Sequence, residues 1–85
     1  MYTVYIIQSK KDSSFYIGYT KDMFKHIDDH NKGKSRYTKR KLPWVVVYKE
    51  NFSDKTEAIR RERFLKNQRN KSFYEKLIRS GSSVG

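Results

Sequence analysis

The chain has 85 residues, 20 Lys and Arg against 9 Asp and Glu, a formal charge of +11 and no cysteine. That length supports one domain with one core, burying about 60–65% of its unfolded surface. The composition excludes disulfides, thiolate nucleophiles and cysteine zinc sites, and no apolar run approaches the roughly 20 residues of a membrane span. The first residues enter a strand pattern without a signal-peptide signature, so a soluble, cytoplasmic protein is expected.

Tyr2 to Ile7 and Phe15 to Thr20 have strand composition. Ser9, Asp12, Ser13 and Ser14 lie between them as turn formers, which predicts a β-hairpin. Gly18 stands two residues after Tyr16, on the same strand face. It should leave a bare patch of backbone beside a phenol, where a ligand could approach. A helix is expected from Asp22 as N-cap to Gly33 as the glycine after its end. Met23, Ile27 and His30 form its inward stripe, with Asp29 pointing away from it.

Lys34 to Leu42 shows no apolar period and reads as an exposed basic loop. Pro43 opens a third strand, Trp44 to Tyr48, whose near-continuous apolar run suggests burial on both faces. A helix from about Asp54 to Gln68 opens on an Asp54/Glu57 capping box. A last helix starts near Asn70, with Phe73 and Leu77 at helical spacing. The expected fold is α+β in the order ββαβαα, a three-stranded antiparallel sheet flanked by helices. One domain should span 1–79, with a Gly/Ser-rich tail over 80–85.

The positive charge is clustered. Lys32, Lys34, Arg36, Lys39, Arg40 and Lys41 form one acid-free run, and Arg60, Arg61, Arg63, Lys66, Arg69 and Lys71 surround Glu62 alone. Such patches are the footprint of a polyanion, and nucleic acid is the expected partner. Neither cluster lies on an amphipathic helix with a wide apolar face, so a membrane surface is not expected.

Glu62 is flanked on the helix by Ala58, Ile59 and Leu65, so it points into an apolar stripe. An inward carboxylate needs a cation, a metal or several donors. A buried salt bridge and a divalent metal both satisfy that need. His26 and His30 are four apart, but two ligands on one turn are too few for a zinc site.

Taken in order, Val4-Tyr5-Ile6, Tyr16-Ile17-Gly18, Tyr19-Thr20-Lys21-Asp22-Met23, His30-Asn31-Lys32-Gly33-Lys34, Tyr37-Thr38, Pro43-Trp44 and Ala58-Ile59-Arg60-Arg61-Glu62 resemble the GIY-YIG nuclease domain in its small single-domain form. The resemblance runs from Tyr2 to about Ile78. It implies a metal-dependent endonuclease that hydrolyses phosphodiesters in DNA, with repair or recombination as the setting. Tyr16 would orient or deprotonate the attacking water, and Tyr5 would hold the phosphate or that water. Glu62 would bind one Mg²⁺ or Mn²⁺, an ion suited to oxygen ligands and retained waters. A phenol titrates near 10, so a base role needs a cation nearby. His30 falls at a position that often carries His, as packing residue or phosphate contact.

The family pattern has Arg where this chain has His26. Arg carries a fixed charge and a fork matched to phosphate oxygens, whereas imidazole is cationic only when protonated. Three outcomes stay open: a weakened or silent enzyme, His26 acting as cation or base, or Lys25 supplying the charge. A catalytically weakened nucleic-acid-binding module is therefore the alternative function. Lys34, Arg36, Lys39, Arg40, Lys41, Arg61 and Lys66 are the expected backbone contacts. RNA is the alternative ligand, with Tyr2, Tyr19 and Tyr37 as stacking platforms. Sequence specificity should be low unless a partner protein supplies it.

Overall fold

The computed structural model describes residues 1–33 and 39–80. Three strands, β1 (Tyr2–Ser9), β2 (Phe15–Thr20) and β3 (Trp44–Phe52), form an antiparallel sheet in the order β2-β1-β3. Among the described residues three helices accompany it: α1 (Met23–Asn31), α2 (Lys55–Gln68) and α3 (Lys71–Ser80). The order is ββαβαα, and the class is α+β.

β1 is the central strand, and Val4, Tyr5, Ile6 and Ile7 are all buried. Their alternation splits the interior into two layers. Val4 and Ile6 join Ile17, Tyr48, Ala58, Leu65 and Tyr74 beneath α2 and α3. Tyr5 and Ile7 join Trp44 on the opposite face, packed by Tyr16, Met23, Ile27, Leu42 and Val46. The two-sided burial expected of the third strand belongs instead to β1. β3 lies at the edge of the sheet, is partly exposed at Val45, Val46 and Val47, and continues to Phe52. Of its paired residues beyond Tyr48, Lys49, Glu50 and Asn51 are charged or polar and break the apolar run before Phe52.

Local signals set the helix ends. Asp22 accepts a hydrogen bond from the Lys25 amide at 3.1 Å, and Gly33 adopts φ +78° just past α1. Asp54 caps α2 through the Thr56 amide at 3.1 Å, one residue earlier than a capping box would use. The Asn70 side chain accepts from the Ser72 amide at 2.9 Å and begins α3, a helix that takes in Ser80. The residues 81–85 of the expected tail lie outside the described residues.

Two side chains, Asn31 and Ser9, make long-range bonds to residues at and just before the start of β3. Asn31 donates from Nδ2 to the Trp44 carbonyl at 3.1 Å and accepts from the Trp44 amide at 2.7 Å. Ser9, expected in the turn, is the last residue of β1 and is buried. Its hydroxyl donates to the Lys41 carbonyl at 2.6 Å and accepts from the Lys11 amide at 3.0 Å. Lys41, shortly before β3, is thereby tied to the hairpin turn.

Candidate functional site

Strand register assembles the first half of the site. Tyr5 pairs with Gly18, and Ile7 pairs with Tyr16. Directly opposed residues of antiparallel strands share a face, so both phenols stand on the α1 side. The space above Gly18 is not bare. A Cβ built there would lie 2.5 Å from Tyr5 Oη and 2.8 Å from Tyr5 Cζ. Glycine is present because the neighbouring phenol lies across it, which corrects the expectation of an open backbone patch for ligand.

α1 contributes the second half. Its N-cap fixes the phase of the helix, and His26 and His30 follow one turn apart. The His26 ring centroid lies 5.1 Å from Tyr5 and 4.7 Å from His30. His30 lies 5.3 Å from Tyr16 and 6.4 Å from Tyr5. Tyr16 in turn meets Trp44 edge-on at 6.2 Å. Five rings from three strands and a helix thus form one cluster. His30 is 5% exposed and inward-facing, while His26 stays half-open to solvent.

Burial governs the ionisation of this cluster. Desolvation pushes Tyr5 far above the ordinary phenol range, and its acidic neighbours Tyr16 and Glu62 add to the effect by disfavouring a second negative charge. Tyr5 therefore stays protonated at neutral pH. Burial lowers both imidazoles below their usual range, and for His30 the neighbouring His26 lowers it further. Asp29 opposes both shifts. It thus lies near enough to act on the pair, whereas helical phase alone had placed it away.

Glu62 projects from α2 between Ala58 and Leu65, both fully buried. Its side chain is only 15% exposed and faces Lys66 Nζ at 3.6 Å, with Lys66 50% exposed. The salt-bridge reading of Glu62 is therefore part of the picture, but the ammonium is half in water and one turn away. The carboxylate also bears on Tyr5, which connects α2 to the ring cluster. Among the described residues no group of three or more His, Cys, Asp and Glu could hold a metal ion. A single oxygen-donor carboxylate of this kind fits a hard divalent cation that keeps most of its waters, and does not fit a closed tetrahedral zinc site.

The expected nucleic-acid contacts differ in their surroundings. Lys39 and Arg40 are exposed. Lys41 Nζ faces Asp12 at 3.3 Å and donates to Ser14 Oγ at 3.3 Å. Ser14 holds Asp12 well below the usual carboxylate range, with Lys41 contributing less. Arg61 donates from Nε and Nη2 to Glu50 at 3.1 and 3.0 Å, and Glu50 also accepts from the Tyr48 hydroxyl. Its fork is occupied within the protein, a pairing across 11 residues that sequence spacing did not reveal. Lys34 and Arg36, and the stacking candidate Tyr37, lie outside the described residues.

Residues 1–76 match the GIY-YIG catalytic domain. The chain is 52% identical over 60 residues to a UPF0213 protein of Staphylococcus haemolyticus, covering 69% of this chain and 72% of the relative. It is 41% identical over 63 residues to the UPF0213 protein YazA of Bacillus subtilis, covering 73% and 63%. The solution NMR structure of a UPF0213 protein from Bacillus halodurans superimposes with a TM-score of 0.57 at 36% identity, covering 92% of this chain and 83% of the other.

Proposed function

Because the chain belongs to the GIY-YIG family, a family of nucleases that are generally metal-dependent, we propose that it is a minimal DNA endonuclease whose site is the Tyr5, Tyr16, His26, His30 and Glu62 cluster. The observation that carries this reading is convergence. Two strand phenols, two helix imidazoles and the field of a nearly buried carboxylate meet at one place on the sheet. A core built for stability alone would fill these positions with apolar side chains.

In this reading water attacks phosphorus in line, the bond from phosphorus to the leaving oxygen breaks, and the proton of water is taken up on the attacking side. Tyr16 orients that water or, ionised beside a cation, accepts its proton. Tyr5, held protonated, donates to a phosphate oxygen or to the water. Glu62 would hold a divalent ion, Mg²⁺ or Mn²⁺, which would supply charge neutralisation to the phosphodiester. His30 packs against Tyr16 and fixes its ring. Lys39, Arg40, Lys41 and Lys66 meet the phosphate backbone, and Arg61, whose fork is taken up by Glu50, makes no direct contact with it. Specificity for sequence is low, and a partner protein would have to add it.

A second reading retains one specific support: His26 replaces a fixed cation, and burial lowers its pKa further. This favours a slow enzyme, or a chemically silent module that only holds nucleic acid. A nicking assay on branched, nicked and linear DNA with Mg²⁺ and with Mn²⁺ separates the two. Glu62→Gln keeps the volume, removes the charge, and should abolish cleavage while fold and DNA affinity persist. Wild-type protein that binds DNA but shows no metal-dependent nicking would establish the module. Unfolding of Glu62→Gln alongside an inactive wild type would make Glu62 a structural ion-pair residue.

A further inference from the structure

Tyr16 and His30 meet at the candidate site but come from different elements. Their ring centroids lie 5.3 Å apart at an interplanar angle of 63°. Tyr16 is placed by the ladder between β2 and β1. His30 is placed by α1, which Met23 and Ile27 hold against the sheet through apolar contacts. Such contacts resist separation but are non-directional. They leave small slides and rotations of the helix cheap, and each would carry the imidazole across the phenol.

Asn31 follows His30 directly and ends α1. Its side-chain amide accepts from the Trp44 amide at 2.7 Å and donates to the Trp44 carbonyl at 3.1 Å, across 13 residues. The Lys10 amide bonds the Pro43 carbonyl at 2.9 Å, so the carbonyl of Pro43 faces the β1 chain. The backbone groups of Trp44, the next residue, therefore face the outer edge of the sheet. Asn31 occupies that edge as a neighbouring strand would. The indole of Trp44 turns back to the site, where it is 2% exposed and meets Tyr16 edge-on at 6.2 Å. The links close into a circuit. It runs from Tyr16 to His30, along the chain to Asn31, across two hydrogen bonds to Trp44, and back to Tyr16.

We infer that Asn31 is a positioning residue of the site: by clamping the Trp44 backbone it fixes the His30 ring against Tyr16. The inference rests on the nuclease reading above. Asparagine suits the task because one planar group carries a donor and an acceptor side by side, the pair that a peptide of a paired strand would present. The ordinary account of such a residue is an edge cap, which satisfies two backbone groups and blocks pairing with another sheet. An edge cap contributes stability alone. A positioning residue also sets the rate of a protein that is fully folded.

The test sets Asn31→Ala against a control of similar stability on the full chain. Tyr74→Phe is the control. It deletes the hydrogen bond from the Tyr74 hydroxyl to the Leu65 carbonyl, in the layer on the other face of the sheet. Each variant should lower Tm by roughly 4–8 °C per hydrogen bond lost. Single-turnover cleavage of a short nicked duplex is measured at pH 7.5 with Mn²⁺, well below both Tm values, and binding of the same duplex is measured without metal. Asn31→Ala should cleave about 10²-fold more slowly than wild type, the scale of a displacement of about 1 Å at reacting groups, while its DNA affinity stays within about twofold. Tyr74→Phe should match wild type within about twofold in both, because the protein remains folded. Two-dimensional NMR follows the cross-relaxation between the His30 and Tyr16 ring protons, which should be present in wild type and in Tyr74→Phe and lost in Asn31→Ala. An Asn31→Ala protein that cleaves as fast as Tyr74→Phe would overturn the inference and leave the nuclease reading intact. So would ring contacts that survive the substitution. Should wild type not cleave at all, the nuclease reading falls, and the ring contacts alone decide the positioning role: their loss in Asn31→Ala supports it and their retention refutes it. Should Asn31→Ala lose its fold by circular dichroism, Asn31→Asp, which keeps the acceptor for the Trp44 amide, takes its place in every arm.

Discussion

Gly18→Ala is the smallest perturbation that should dismantle the site. The added methyl would sit 2.5, 2.8 and 3.3 Å from Oη, Cζ and Cε2 of Tyr5, where carbon contacts are comfortable at about 3.5–4.0 Å. The ring has little room to yield. Tyr5 is 1% exposed, and His26 stands at 5.1 Å. Overpacking of this kind costs about 1–3 kcal/mol. Alanine regains about 0.5–1 kcal/mol over glycine within a strand, so the net loss should be about 1–2 kcal/mol. For a domain of this size that lowers Tm by roughly 5–15 °C. Because the methyl displaces the Tyr5 hydroxyl, cleavage should fall by at least about 10²-fold, while DNA affinity, set by exposed cations elsewhere, should change little. Tyr5→Phe in the Gly18→Ala background removes the 2.5 Å contact and leaves the 2.8 Å one. It should recover part of the stability and none of the activity. Thermal denaturation and the nicking assay read both. A Gly18→Ala protein as stable and as active as wild type would refute the reasoning, because the Tyr5 ring could not then lie across this strand.

Three further outcomes are expected. His26 and His30 have folded pKa values below their ordinary range, so the unfolded chain binds more protons as pH falls through about 6.5. Their contribution to stability is complete above that value and is lost as pH drops through the lowered values; urea midpoints at pH 7.5 and 5.0 should show the decline, and His30→Gln should reduce it. If about 4–6 phosphates are contacted, the log–log salt dependence of duplex binding should have a slope of about −4 to −5; joint alanine substitution of Lys39, Arg40 and Lys41 should flatten it by about 2–3 units, and a slope near zero for wild type would exclude nucleic acid as ligand. Asn31→Ala removes both bonds to Trp44 and should cost about 1–3 kcal/mol of stability in urea titration, with a rate loss that follows from the loosened seat of α1.

The sequence by itself determined the local elements, because their causes are local. Asp22, Gly33, Asp54 and Asn70 set helix ends through hydrogen bonds within three residues or through a single backbone angle. The tyrosines sit in strands whose alternation could be counted, and Glu62 was readable as inward because helical phase relates it to Ala58 and Leu65. Strand order was a tertiary matter. Composition made β3 look buried on both faces, but pairing put β1 between the other two, since a strand's place depends on which edges it can bond and not on its own residues. The same holds for the site. Nothing within a few residues of Gly18 says that a phenol 13 positions earlier fills its space, that Arg61 is paired with Glu50, or that Lys49 stands opposite Tyr5. Those relations arise from register across hydrogen-bonded strands and from packing between elements distant in the chain, and only the folded structure decides them.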